Sequence, residues 1–163
     1  MKQLILVRHA KSSWDNPLQK DFDRPLNDRG EHDAPVMAKR LKEKKVAVDA
    51  FISSPAVRAL TTAEYFVEVY GLKRKDIIQQ KDLYHASYDT LHDFITNLDD
   101  SYETVVIFSH NPGLTEFATD LTTVNIDNIP TCGIFAVKLN IKSWKEFADA
   151  EKKFWFFDYP KSA

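Results

Sequence analysis

The chain is poor in cysteine, glycine and long apolar runs, and it carries almost no net charge. Cys132 is the only cysteine in 163 residues, so no intramolecular disulfide can form and nothing implies an oxidising compartment. The four glycines, Gly30, Gly71, Gly113 and Gly133, form neither a GxGxxG nor a Walker loop. No stretch approaches the ~20 apolar residues of a membrane span. After Met1 the apolar run "LILV" is too short for a secretory leader, so a cytoplasmic location is expected. The 22 basic and 24 acidic residues leave a net charge of −2, which gives no electrostatic reason to expect nucleic acid or an anionic membrane as partner. An anion must be bound by a few local residues.

Short apolar runs alternate with longer amphipathic stretches, the pattern of an α/β protein. Strands are predicted at Gln3–Val7, Ala50–Ser53, Asp76–Gln80, Thr104–Phe108, Ile134–Leu139 and Phe154–Asp158. The run "TVVIF" is continuous and β-branched, as a strand covered on both faces should be. Helices are predicted over residues 27–45, 53–71, 88–98 and 111–121, with Ser54 as an N-cap, Pro55 at the first helical position and Gly71 past the end. On the first helix Val36, Met37, Leu41 and Ala34 are expected to face the core. Residues 10–27 have no clean period and read as a long loop, of the length that usually serves function or is disordered. The aromatic tail "FWFFDYPKSA" should close the sheet or pack across it. The expected architecture is one domain over 1–163, a three-layer sandwich with a mostly parallel sheet between helices.

Chemistry collects at the strand ends. The first strand runs into Arg8-His9, the second ends beside a helix carrying Arg58, and "TVVIFS" ends in His110. Ligands of open α/β sheets bind beyond the carboxyl ends of the strands. Two arginines and two histidines are therefore expected to converge there, near helix N-termini. Guanidinium forks match phosphoryl oxygens, and free helix amides add partial positive charge.

The segment "LVRHAKSSW" resembles the RHG signature of the histidine phosphatase superfamily, which includes the cofactor-dependent phosphoglycerate mutases. "RPLNDRG", "SSPAVRALTTA" and "VVIFSHNPGL" are similar to three further motifs of that family, in family order. Within it, "RHAKSSW", "DFDRPLNDRG" and "SHNPG" look most like the SixA-type phosphohistidine phosphatases. The resemblance implies a phosphoglycerate mutase-like fold and a covalent mechanism without metal or other cofactor. His9 would carry the phosphoryl group before water hydrolyses it, and Arg8, Arg58 and His110 would hold the equatorial oxygens. Ser12 stands where mutase relatives contact phosphate, and Arg24 is either a further anion contact or a loop anchor on Asp21 or Asp23, with the anchor favoured; both are candidate substrate-binding residues. Asp15 falls where relatives carry asparagine, and a carboxylate there would repel phosphate, so no binding role is assigned to it.

Relatives that hydrolyse esters carry a glutamate after the third strand to protonate the leaving oxygen. Here the matching stretch is "KDLYHASYD", with His85 in the glutamate's place. A positioned acid contributes ~100- to 10,000-fold, and its loss matters least for a leaving group that is itself easily protonated. A P–N substrate is therefore favoured, and the best expectation is a phosphohistidine on another protein. A small phosphomonoester, a mutase reaction and a phospho-ligand binding module are the alternatives. His85 reads as a loop histidine at a strand-to-helix turn, with the acid role as its alternative.

Other readings of the same letters fail. Cys132 has Lys138 six residues on, not the arginine of a cysteine-dependent phosphatase loop. "DFDRP" ends in proline where an aspartate-nucleophile box needs Thr or Val, and no apolar strand precedes it. The five histidines show no HxH, HxxxH or HExxH spacing, so no metal site is expected. His32 and His92 read as solvated residues on exposed helix faces.

Overall fold

The computed structural model describes residues 1–161. Six strands form one sheet: β1 (Lys2–Arg8), β2 (Ala50–Ser53), β3 (Ile78–Gln79), β4 (Thr104–Ser109), β5 (Ile134–Leu139) and β6 (Lys152–Asp158). The order is β3-β2-β4-β1-β5-β6. Strands β1 to β4 pair in parallel, whereas β5 is antiparallel to both β1 and β6. The aromatic tail thus closes one edge of a mostly parallel sheet. Four α-helices cover it: α1 (Asp28–Glu43), α2 (Val57–Val69), α3 (Tyr88–Thr96) and α4 (Gly113–Leu121).

Strand periodicity sorts the core into two layers. Leu4, Leu6, Val105 and Ile107 face α3 and α4, whereas Ile5, Val7, Val106 and Phe108 face α1 and α2. Leu4 to Val7 are completely buried, which explains a strand without polar alternation. Each such side chain contributes ~1.5–3 kcal/mol relative to exposure. The three-layer arrangement is the phosphoglycerate mutase-like fold.

Four expectations need correction. The third strand shortens to two residues because Arg74–Asp76 close a 3₁₀ turn before it, and it sits exposed at the sheet edge. Helix α2 starts at Val57, two residues after Pro55, and its N-cap Ala56 offers no side-chain bond. Ser54 is therefore not its cap. His92 is half-buried, with its ring 5.6 Å from that of Phe147, whereas His32 is exposed as expected. Val36 is also only half-buried, while Ala34, Met37 and Leu41 reach the core.

The long loop is tied at its root. Ser13 N–H donates to the Pro25 carbonyl, Asn27 N–H to that of Lys11, and Ser12 bridges Leu26. Asn27 caps α1 by accepting from Gly30 N–H at 2.9 Å. Gly30 is required because a Cβ there would overlap the Lys11 carbonyl oxygen. On the other side of the site, a Cβ at Gly113 would overlap the carbonyl oxygen of Ala86.

Candidate active site

The carboxyl ends of parallel strands β1, β2 and β4 deliver Arg8-His9, Ser53-Ser54 and Ser109-His110 to one side of the sheet, and the first turn of α2 adds Arg58. A pocket of about 210 Å³ opens there, lined in part by Arg8, His9, Arg24, Arg58, His85 and His110. The four residues read as its core and the two candidate contacts, Ser12 and Arg24, all border it.

His9 is oriented by its own backbone. Its Nδ1 lies 2.8 Å from the Ala10 carbonyl oxygen, which can only accept, so Nδ1 carries the hydrogen and Nε2 keeps its lone pair. Arg58 Nε–H faces that lone pair at 3.4 Å. Burial pushes the His9 pKa down to about 3; the charges of Arg58, Arg8 and Arg24 act in the same direction, and the Ala10 bond opposes them. The ring is neutral at ordinary pH, with Nε2 turned towards the Arg58 guanidinium.

His110 stands 5.2 Å away, ring to ring. Its Nε2 lies 2.7 Å from Ser54 Oγ, and its buried Nδ1 has no partner among the described residues. Burial, then the neighbouring His9 and Arg58, lower its pKa to about 2. Arg8 donates from Nη1 to the Ile129 carbonyl at 3.0 Å, and its buried Nε has no partner among the described residues. Asn111 fixes that carbonyl by donating to it from Nδ2 at 3.1 Å. Unspent buried donors beside a neutral imidazole are what an incoming anion would use.

Asp21 ties the remaining cations together. Its Oδ2 accepts from Arg58 Nη2 at 3.0 Å, Tyr84 Oη at 2.6 Å and His85 Nε2 at 3.0 Å, while Oδ1 accepts from Arg24 at 3.1 Å. Partial desolvation opposes ionisation, but the Tyr84 hydroxyl, Arg58 and His85 outweigh it and hold the carboxyl far below its usual range. Arg24 pairs with Asp21, as the anchor reading required, but also donates to Ser12 Oγ at 2.7 Å and stacks 3.5 Å over the Trp14 ring inside the pocket. The anchor reading holds, and Arg24 also borders the pocket. Asp15 is exposed.

Sequence reasoning named Asp21 only as a partner of Arg24; it missed the bonds of Asp21 to Arg58, Tyr84 and His85, the roles of Tyr84 and Asn111, and the partnership of Ser54 with His110. The carboxylates of "DFDRP" were the visible signal for Asp21, but its bond to Arg58 spans 37 residues and leaves no local trace. Among the described residues no group of three or more His, Cys, Asp or Glu could hold a metal ion, and no helix is long and apolar enough to cross a membrane.

Residues 4–93 match the family profile of the histidine phosphatase superfamily, branch 1. The chain belongs to that superfamily. An uncharacterised chloroplastic protein of Arabidopsis thaliana is 30% identical over 89% of this chain and 70% of its own length. Among solved structures, a protein from Agrobacterium tumefaciens assigned as the phosphohistidine phosphatase SixA superposes with a TM-score of 0.83, at 22% identity over 98% of each chain. The protein histidine phosphatase SixA in complex with tungstate gives 0.79, at 22% identity over 97% of each chain. At these identities the likeness to both is one of fold.

Proposed function

We propose that the chain is a metal-independent phosphatase that passes through a phosphohistidine on His9, and that its substrate is a phosphohistidine displayed on another protein. The observation that carries the first part is the state of His9: Nδ1 is committed to Ala10, and Nε2 keeps an unprotonated lone pair, met only by a long bond from Arg58 Nε, in a pocket of three guanidinium groups. Binding alone would not require an uncharged imidazole there. In the first step Nε2 attacks phosphorus and the substrate bond breaks; in the second, water attacks phosphorus on His9 and the P–N electron pair returns to Nε2. Arg8, Arg58 and His110 meet the non-bridging oxygens through both steps, with Arg24 and Ser12 at the pocket wall.

Two features favour a protein-borne substrate. The pocket is small and open, exposed Trp14 lines it, and Leu18 and Phe22 stand exposed elsewhere on the same loop, apolar surface of the kind that meets macromolecules. The two SixA relatives named above are described as phosphohistidine phosphatases, and this chain shares their fold.

Incubation with labelled phosphohistidine-containing protein should leave an acid-labile, base-stable label on the enzyme that His9→Ala abolishes. Turnover should survive EDTA. Label on serine or aspartate, or a loss of activity restored by added zinc or magnesium, defeats the mechanism. Faster turnover of small phosphate esters than of the phosphoprotein transfers the substrate to that class.

A further inference from the structure

Three loops that build the phosphoryl pocket have a second face. Asp21, Ser54 and His85 turn towards the pocket and its cations, whereas their chain neighbours Phe22, Pro55 and Tyr84 converge on another side. Together with Gln79 and Lys81 these three line a groove of about 430 Å³. The Phe22 and Tyr84 rings meet edge to face, 5.1 Å between centroids, and Pro55 adds a third apolar ring. Tyr84 is the partition between the two cavities. Its hydroxyl donates to Asp21 Oδ2 at 2.6 Å, and its ring stands 5.5 Å from that of His110. The groove therefore lies one aromatic ring away from the phosphoryl pocket.

Its lining shows what kind of guest fits. Phe22 is 37% exposed, on a 3₁₀ turn that buries none of its residues. A lone exposed phenylalanine is ordinary, but one that walls an apolar groove beside a candidate active site offers a seat to an apolar group of the substrate. Gln79 ends β3, the exposed edge strand of the sheet. Gln80 N–H turns inwards to the Ser53 carbonyl at 2.9 Å, so the backbone of Gln79, one residue earlier, faces the open side. An extended chain laid along that edge can pair with Gln79 and point one side chain into the groove. Lys81 is exposed and is the one charged residue of the five that line it, which favours a carboxylate next to that side chain.

We propose that this groove holds an apolar side chain of the substrate phosphoprotein, carried on an extended segment that flanks the phosphohistidine, with an acidic neighbour meeting Lys81. The role rests on the reading of the chain as a phosphatase of protein phosphohistidine. The groove supplies binding and takes no part in bond breaking, so it reads the sequence around the phosphorylated residue. A small phosphate ester fills the phosphoryl pocket and leaves the groove empty.

The test uses short peptides that carry one phosphohistidine in an alanine-serine background, with a single leucine walked through the flanking positions. Each kcat/KM is taken relative to that for p-nitrophenyl phosphate on the same variant. In wild type, leucine at one position should raise this ratio by about ten-fold over the leucine-free peptide, and a glutamate beside it should raise it further. Phe22→Ala should cancel the leucine gain. Lys81→Glu should keep that gain and transfer the glutamate preference to lysine at the same position. A leucine gain of equal size in wild type and Phe22→Ala, an unchanged glutamate preference in Lys81→Glu, or no position dependence while His9 carries the label overturns the proposal alone. A gain that depends on Phe22 only for aryl phosphates with apolar tails assigns the groove to a small-molecule substrate and also overturns it. Absence of label on His9 in wild type overturns the phosphatase reading and this role with it.

Discussion

Asp21 grips Arg58 at two points: Arg58 Nη1 donates to the Asp21 carbonyl oxygen at 2.7 Å, and Nη2 donates to the carboxylate at 3.0 Å. The grip presents Arg58 Nε to His9, and it also places a carboxylate on the edge of the guanidinium that a phosphoryl group would need. Asp21 is therefore both the support of Arg58 and the internal competitor for it.

Asp21→Asn should separate these effects. The amide preserves shape and removes the charge, so inorganic phosphate should inhibit more tightly, by about five-fold for the ~1 kcal/mol such a partly exposed pairing carries. The maximal turnover should fall at the same time, because the Arg58 fork loses its fixed partner. A weaker phosphate inhibition constant in the variant would show that the carboxylate does not compete for Arg58.

Arg58→Lys keeps one positive charge and loses the planar fork. It cannot reach both Asp21 oxygens and His9 Nε2 together, so kcat/KM should drop by ~100- to 1,000-fold, the usual loss for one donor to developing charge. Steady-state kinetics within a few-fold of wild type would reduce Arg58 to a point charge.

Ser54→Ala removes the hydroxyl that orients His110 Nε2 at 2.7 Å. One neutral hydrogen bond of about 1.4 kcal/mol corresponds to about ten-fold in rate. The loss should fall on kcat with KM little changed, since the hydroxyl orients a group that steadies transferring oxygens. A change in KM alone would place Ser54 in ground-state binding.

Acid should destabilise the fold in two stages. His9 and His110 have pKa values lowered from 6.5 to about 3 and about 2, so above pH 6.5 both folded and unfolded chains leave them neutral. Between pH 6.5 and about 3 the unfolded chain takes up protons that the folded chain refuses, and stability falls as pH is lowered. Each histidine contributes a slope of up to about 1.4 kcal/mol per pH unit. Asp21 acts below them: its depressed pKa adds stability above pH 3.8 that is lost beneath it. Urea unfolding at pH 7, 5.5 and 4.5 should show the first stage, with a smaller slope in His110→Gln. A flat profile across that range would mean that the folded chain takes up protons on both rings as readily as the unfolded one.

The sequence revealed those parts of the fold whose signals are local. Unbroken β-branched runs marked the central strands, and the tips of β1 and β4 named His9 and His110 because a polar pair after a buried run is conspicuous. Ser54 was misread for the same reason. Serine before proline resembles a helix start, whereas its hydroxyl is drawn to His110, 56 residues away. The short β3 was overestimated because the apolar pair Ile77-Ile78 suggests a strand, although Asp76 caps a 3₁₀ turn through its bond to Lys73 N–H. The long-range bonds of Asp21 were the largest omission: beyond Arg24, its partners come from α2 and from the turn before α3, and only the folded chain brings them together.

The closure of the long loop at its root has a consequence for how such a site can diversify. The bonds from Ser13 to Pro25 and from Asn27 to Lys11 pin both feet of the excursion to the frame that holds β1 and α1. Within the excursion, Asp21 and Arg24 reach back to Arg58 and Ser12 and belong with the frame. Residues 15–20, ahead of them, can lengthen, shorten or change character while those ties stay in place. Reactivity resides in the frame and its two ties, and the choice of guest resides in a detachable awning. A graft of a longer apolar awning between Trp14 and Lys20 would recast the range of accepted molecules while the phosphoryl chemistry beneath it continued.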